Sequence, residues 1–159
     1  MIIAFTMSSI YFRRGKPFNK FSVLSYQKKL IEDHYSFLNC KIENRVLTCV
    51  GQLQPDDCKN CYKIKIEYVA GNEPKSTILS PFIEPSRHIH MFRDHSLCLH
   101  YPPDMQWNEK IKIYQYTIPW ISEWIIYYEI YLVNGNKWEG RESPVHITEA
   151  DQNINRDVD

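Results

Sequence analysis

The segment 62–70, YKIKIEYVA, is the part of this 159-residue chain that most constrains its fold. Aromatic and β-branched residues alternate with charged residues in it, at Tyr62, Ile64, Ile66 and Tyr68. A period of two sends successive side chains to opposite faces, as in a β-strand that buries one face. The chain therefore contains a sheet with one face in the core.

Turn residues on both sides of this strand predict an antiparallel meander. Upstream, segment 45–53 is rich in β-branched residues and is separated from the next strand by a turn that contains Pro55. Downstream, a turn at 71–74 leads to a strand near 75–80, and a short first strand is expected at 37–43. Hairpin connections of this length join antiparallel neighbours.

A helix is predicted before the meander, over residues 21–36. Asn19 or Ser22 offers a capping side chain for its first turn. Apolar residues recur there at spacings of three, four and seven, which is a helical stripe, at Phe21, Leu24, Ile31, Tyr35 and Leu38.

A second helix is predicted over residues 119–133, with Pro119 in its first turn and Gly135 as its C-terminal cap. Its aromatic face is expected to be core. The intervening segment 81–110 contains several prolines and is expected to be extended and loop-rich. The predicted fold class is therefore α+β, with a helix, an antiparallel meander, a proline-rich loop and a helix in that order.

Length and charge narrow the class of protein. The chain fits one domain over 1–147, followed by a polar, acidic tail over 148–159 that we expect to be disordered. Its formal net charge is zero, which favours neither nucleic acid nor anionic lipid. No apolar run approaches the roughly 20 residues that span a bilayer. The chain has five cysteines and no recognisable signal segment, so we expect reduced thiols and a cytoplasmic location.

One cysteine lies within a cluster of histidines. Cys98 is accompanied by His88, His90, His95 and His100. A nearby imidazolium would lower the pKa of the thiol and make it a better nucleophile. His100 is two residues from Cys98 and would project to the same side of an extended chain.

Two other interpretations of this cluster stay open. The histidines and Cys98 are all possible zinc ligands, and Cys58 with Cys61 would form a second pair. A redox role for Cys58 and Cys61 is disfavoured, because such a pair normally opens a helix in a βαβ unit. Alternatively, the histidines decorate a surface loop and Cys98 is a small core residue.

The spacing of these residues resembles the ubiquitin-conjugating enzyme family. In that family a His-Pro-Asn tripeptide begins ten residues before the active-site cysteine, and His88 stands ten residues before Cys98. The family's Ile/Leu-Cys-Leu context matches Leu97-Cys98-Leu99, and a following tryptophan matches Trp107. The resemblance implies the ubiquitin-conjugating-enzyme fold, Cys98 as the thioester-forming nucleophile, and no cofactor.

The chain is more similar still to ubiquitin-conjugating-enzyme-like proteins of bacterial CBASS antiphage operons. The resemblance implies an acyl donor that is a ubiquitin-like protein or the C-terminus of a cGAS-like nucleotidyltransferase, with or without a separate activating enzyme. The alternatives to this enzymatic function are a catalytically silent binding module on the same fold and a zinc-binding protein. The similarity in the C-terminal half runs through Trp124, Glu129, Gly135, Trp138, Gly140 and His146.

The tripeptide itself departs from the family pattern. Ile89 replaces its proline and His90 replaces its asparagine. The resemblance implies that His88 structures the loop and that His90 either donates a hydrogen bond to the oxyanion or only supports the loop. His95, His100 and His146 are candidates for tuning the thiol, and a structural role is the alternative for His146. No residue after Trp107 is assigned as the acid that activates an incoming lysine.

Overall fold

A computed structural model describes residues 19–99 and 106–141. Within these ranges the chain is α+β, with two helices and a four-stranded antiparallel sheet. Its elements are α1 (Lys20–His34), β1 (Leu38–Glu43), β2 (Val46–Leu53), β3 (Tyr62–Tyr68), β4 (Lys75–Ser80), a single 3₁₀ turn (Arg87–Ile89) and α2 (Thr117–Val133). The predicted order of helix, antiparallel meander and helix is therefore confirmed for the described residues.

The sheet has the strand order β1-β2-β3-β4, so each strand pairs with its neighbour along the chain. The alternation in β3 acts as predicted, since Tyr62, Ile64 and Tyr68 are fully buried. The strand ends at Tyr68, two residues before the predicted end, because a turn already begins at Ala70. One face of the sheet carries the core and the other carries charged side chains.

Helix α1 begins one residue before its predicted start. The Asn19 side chain accepts a hydrogen bond from the Phe21 N–H at 3.0 Å, which selects Asn19 over Ser22 as the cap. Leu24 and Ile31 of the predicted stripe are buried, but Phe21 is exposed. The helix ends at His34 and not at residue 36, so Tyr35 and Leu38 lie beyond it. Gln27 is also fully buried on this helix, which the apolar pattern did not indicate.

Helix α2 begins at Thr117, so Pro119 lies in its first turn as predicted. Gly135 has φ 81°, the left-handed conformation that ends many helices. Trp124 is buried, whereas Trp120 is only partly buried. The expectation that the aromatic face is core therefore holds best at Trp124.

Cys40 and Cys49 form a disulfide between β1 and β2. The prediction of reduced thiols is wrong for this pair. The antiparallel register places the two residues directly opposite one another, and that register was not specified by the sequence pattern. Among the described residues, Cys58, Cys61 and Cys98 are free.

Neither helix of the described residues has the length and apolar character needed to cross a bilayer. The predictions for the tail at 148–159 and for His100 and His146 fall outside the described residues.

Candidate active site at Cys98

Residues 91–97 form a narrow loop that leads the chain into Cys98. Met91 and Leu97 form an antiparallel bridge, and both are buried. Between them the Phe92 N–H donates to the Ser96 carbonyl at 2.8 Å, and His95 has φ 64° at the tip. The loop therefore returns on itself and brings Cys98 back beside residue 90.

An ion pair fixes this loop to the start of β4. Lys75 Nζ lies 2.7 Å from a carboxylate oxygen of Asp94. The other Asp94 oxygen accepts hydrogen bonds from the Ser96 N–H at 3.1 Å and the Ser96 hydroxyl at 2.5 Å. Hydrogen bonds from Lys75 and Ser96 hold the pKa of Asp94 well below its usual range. The ion pair is therefore expected to persist across the neutral range.

Cys98 is half-buried, and backbone hydrogen bonds fix its position. Its N–H donates to the His90 carbonyl at 2.8 Å, and the preceding Leu97 N–H donates to the Ser76 carbonyl at 2.9 Å. Burial raises the pKa of the Cys98 thiol, and the charge of Glu73 raises it further. The thiol is therefore mostly protonated at neutral pH, contrary to the lowering that a nearby imidazolium would cause.

The backbone carbonyl of His90 contacts the backbone of Cys98. His90 is 5% exposed and adopts the left-handed conformation, with φ 55° and ψ 42°. Its ring lies against the indole of Trp138, with ring centroids 5.4 Å apart. The buried Trp124 Nε1–H donates to the Ile89 carbonyl at 2.7 Å, so α2 fixes the backbone just before His90.

The other histidines are placed differently. His88 is exposed, and its backbone N–H donates to the Ser86 hydroxyl at 3.2 Å within the 3₁₀ turn. The His95 ring lies 5.6 Å from the ring of exposed Phe82, between centroids. The structure therefore groups His90, and not His88 or His95, with the core that supports Cys98.

Among the described residues, no group of three or more His, Cys, Asp or Glu side chains is placed to hold a metal ion. Cys58 and Cys61 lie in the β2–β3 connection. Burial raises the pKa of Cys58, and the charge of Glu129 on α2 raises it further. The zinc interpretation gains no support from this part of the chain.

A cleft lies beside Leu97 and Leu99, the two chain neighbours of Cys98. Leu97, Leu99, Pro74, Trp107 and Trp120 line it, and Glu73 is part of its border. Sequence reasoning named neither Glu73 nor the Lys75–Asp94 pair. Glu73 and the Lys75–Asp94 ion pair are related to Cys98 only by the fold of the chain, so no local sequence motif could have indicated them.

A four-stranded antiparallel meander between two helices, with a free cysteine presented by the loop after β4, is consistent with the class of ubiquitin-conjugating-enzyme-like proteins. A family model described as "Type II CBASS E2 protein" matches residues 27–146. Because the match spans more than half of the chain, the protein belongs to this family, and an E2-like role in CBASS follows. A comparison with curated proteins finds no match.

Proposed function

We propose that the protein is a conjugating enzyme that carries an acyl group on Cys98 as a thioester. The Cys98 sulfur attacks an activated C-terminal carbonyl, the donor's leaving group departs, and the thiol proton is released. An amine then attacks the thioester, an amide forms, and Cys98 returns to the thiol. This divides one acyl transfer into two easier steps.

The observation that carries this proposal is the placement of Cys98. It is a free, half-buried cysteine whose own N–H donates to the His90 carbonyl and whose preceding residue, Leu97, donates to the Ser76 carbonyl. A fixed backbone limits the positions of the reacting sulfur, which favours reaction with a bound carbonyl. Family membership supports the same role.

The raised pKa of Cys98 shapes the proposed chemistry. The protonated thiol must lose its proton before it attacks, and a thiolate with a higher pKa is then a stronger nucleophile. We place His90 beside the reacting carbonyl as a hydrogen-bond donor to the oxyanion. We assign His88 to the structure of the turn and leave His100 as a candidate for tuning the thiol.

The acyl donor in this proposal is the C-terminus of a cGAS-like nucleotidyltransferase or a ubiquitin-like protein. Activation by a separate enzyme is compatible with either donor. The reaction requires no cofactor on this chain and is assigned to the cytoplasm, within one domain over 1–147. Partners among the other CBASS components follow from the family, and their identity is part of the proposal.

A trapping experiment tests the proposal. The Cys98→Ser variant is produced together with the CBASS nucleotidyltransferase, and its adducts are identified by intact-mass and peptide mass spectrometry. We expect an ester between the donor's C-terminal carboxyl and the introduced serine, because an oxygen ester is less reactive than a thioester. Adduct formation that continues unchanged in Cys98→Ala would reject the role of Cys98.

A catalytically silent binding module is the second candidate. The burial of Cys98 and its raised pKa favour this alternative, because both lower the reactivity of a thiol. The two candidates differ in one observable. A module leaves Cys98 unmodified by acyl thioesters under native conditions, whereas the enzyme exchanges with them.

A further inference from the structure

Two phenylalanine side chains stand in solvent at the loop 91–97. Phe82 is 76% exposed and Phe92 is 51% exposed. The Phe82 ring lies 5.6 Å from the His95 ring, between centroids, and the Phe92 N–H donates to the Ser96 carbonyl at 2.8 Å. We refer to Phe82, Phe92 and His95 as the loop patch. Large apolar side chains that are exposed together mark an interaction surface, whereas singly scattered ones do not.

The charged groups around the loop patch leave it with a cation. The carboxylate of Asp94 is engaged by Lys75 at 2.7 Å. Glu84 and Arg87, both exposed on the segment before the loop, offset one another in sign. Arg93 is exposed on the loop itself, and within residues 19–99 and 106–141 no ion pair to it is formed. The surface therefore suits an apolar segment that also carries carboxylates.

The described chain passes this loop shortly before it ends. The Trp138 ring lies 5.4 Å from the ring of His90, between centroids, and Phe92 is only two residues after His90. Residues 139–144 span up to about 20 Å when extended, which is enough to carry the chain from Trp138 to the loop patch. The segment 144–151 therefore starts within reach of this surface, and its attachment gives it a high effective concentration there.

The sequence of segment 144–151, PVHITEAD, is complementary to the loop patch. Alternate residues of an extended chain share a side, so in that conformation Val145 and Ile147 would face the same way as Glu149 and Asp151. Two apolar side chains are thus followed by two carboxylates, and the segment contains no Lys or Arg. A segment too polar to form a core by itself can still be ordered by a surface that it complements.

We propose that segment 144–151 docks onto the loop patch of its own chain. Its two apolar side chains lie against the two phenylalanines, and one of its carboxylates pairs with Arg93. A second copy of the patch is a poorer occupant, because pairing the patch with itself would bring the Arg93 charges of two copies together. The docked segment covers part of the loop that leads into Cys98, and this inference stands whether or not Cys98 forms a thioester.

Photocrosslinking in the complete 159-residue chain tests the docking. The photoreactive amino acid p-benzoyl-phenylalanine replaces Phe92 in one variant and Phe21 in a second. Phe21 is the matched control, because it is 63% exposed but lies on α1. After irradiation, gel electrophoresis separates crosslinks within one chain from crosslinks between chains. Peptide mass spectrometry after proteolysis then identifies the segment that the probe has attached to.

We expect the probe at position 92 to attach to segment 144–151 of the same chain, and the probe at position 21 not to attach to it. Failure of the first probe to reach the segment, or equal attachment from both probes, would overturn the docking. A crosslink from position 92 to another chain would also overturn it, and would assign the loop patch to a second copy.

A charge exchange tests the pairing with Arg93. Arg93→Glu should lower the yield from the probe at position 92 at least about threefold, because it replaces attraction at a surface pair by repulsion. Adding Glu149→Lys and Asp151→Lys to Arg93→Glu should restore the yield. A yield that Arg93→Glu leaves unchanged, or that the two added substitutions do not restore, would overturn the charge pairing by which the segment is assigned to the patch.

Discussion

At the scale of single residues, the Cys98 thiol combines accessibility with suppressed ionisation. It is only half-buried, yet burial and the charge of Glu73 both raise its pKa. The thiolate fraction at a given pH falls as the pKa rises, so the folded protein should hold less thiolate than a free cysteine near neutral pH. Reactivity should therefore appear at higher pH than for an ordinary thiol.

A measurement of alkylation against pH tests this. In a Cys58→Ser/Cys61→Ser background, iodoacetamide should modify Cys98 more slowly at pH 7.5 than it modifies the same thiol in urea. The rate in the folded protein should continue to rise at a pH above the ordinary thiol pKa of about 8.5. A midpoint at or below that value would contradict the burial argument.

His90 adopts a conformation that few side chains tolerate. A non-glycine residue with φ 55° is in the left-handed region, where asparagine is accepted more readily than alanine. His90→Ala should also lose the ring contact with Trp138 and should destabilise the fold by about 1–3 kcal/mol. His90→Asn should be closer to wild type in both thermal stability and the rate of Cys98 loading. Equal losses in the two variants would assign the effect to the ring and not to the backbone.

At the scale of elements, the strands were predictable because each carries its own signal. Alternation in β3 and turn residues on either side of it locate the meander within a few residues of its bounds. The pairing of Cys40 with Cys49 was not predictable, because it depends on the register between two strands. The effect of the Glu73 charge on the Cys98 thiol was not predictable either, because it depends on how the chain folds and not on a local motif.

Helix α2 and the β2–β3 connection are joined through Glu129. Its carboxylate accepts from the Lys59 N–H at 2.7 Å, the Asn60 N–H at 2.9 Å and the Tyr62 hydroxyl at 3.1 Å. Burial raises the pKa of Glu129, but these hydrogen bonds outweigh it and the net pKa lies below the usual value. The ionised form is therefore the one that stabilises the fold.

Glu129→Gln should lower the free energy of unfolding by about 1 kcal/mol, because an amide turns one donor toward the backbone N–H groups and part of the site is solvated. The contribution of Glu129 should be present above the unfolded pKa of about 4.3 and should be lost as the pH falls through the lower folded pKa. Urea unfolding at pH 7 and pH 3 measures both effects. Glu123→Gln on the same helix, whose carboxylate pairs with exposed Arg141, should show no comparable change at pH 7.

At the scale of the whole molecule, one buried amide connects two parts of the described chain that are far apart in sequence. Gln27 of α1 is fully buried, and its Nε2 donates to the Ile111 carbonyl at 2.7 Å. Its Oε1 accepts from the Ile113 N–H at 3.0 Å. The first helix thereby provides hydrogen-bond partners for the backbone of the segment that leads into α2. Helix α2 carries Trp124, whose Nε1–H donates to the Ile89 carbonyl and so supports the Cys98 loop.

Gln27→Met tests this connection, because methionine has a similar size and no hydrogen-bonding amide. The Ile113 N–H and the Ile111 carbonyl would lose their partners, at a cost of about 2–4 kcal/mol. Chemical denaturation of Gln27→Met should show this loss, and Gln115→Met, at an exposed position near the same segment, should be close to wild type. Because Trp124 follows the segment that Gln27 holds, Gln27→Met should also slow Cys98 loading at temperatures where the protein is still folded. If Gln27→Met loses no more stability than Gln115→Met, the buried amide does not stabilise the fold and α1 does not fix the segment before α2.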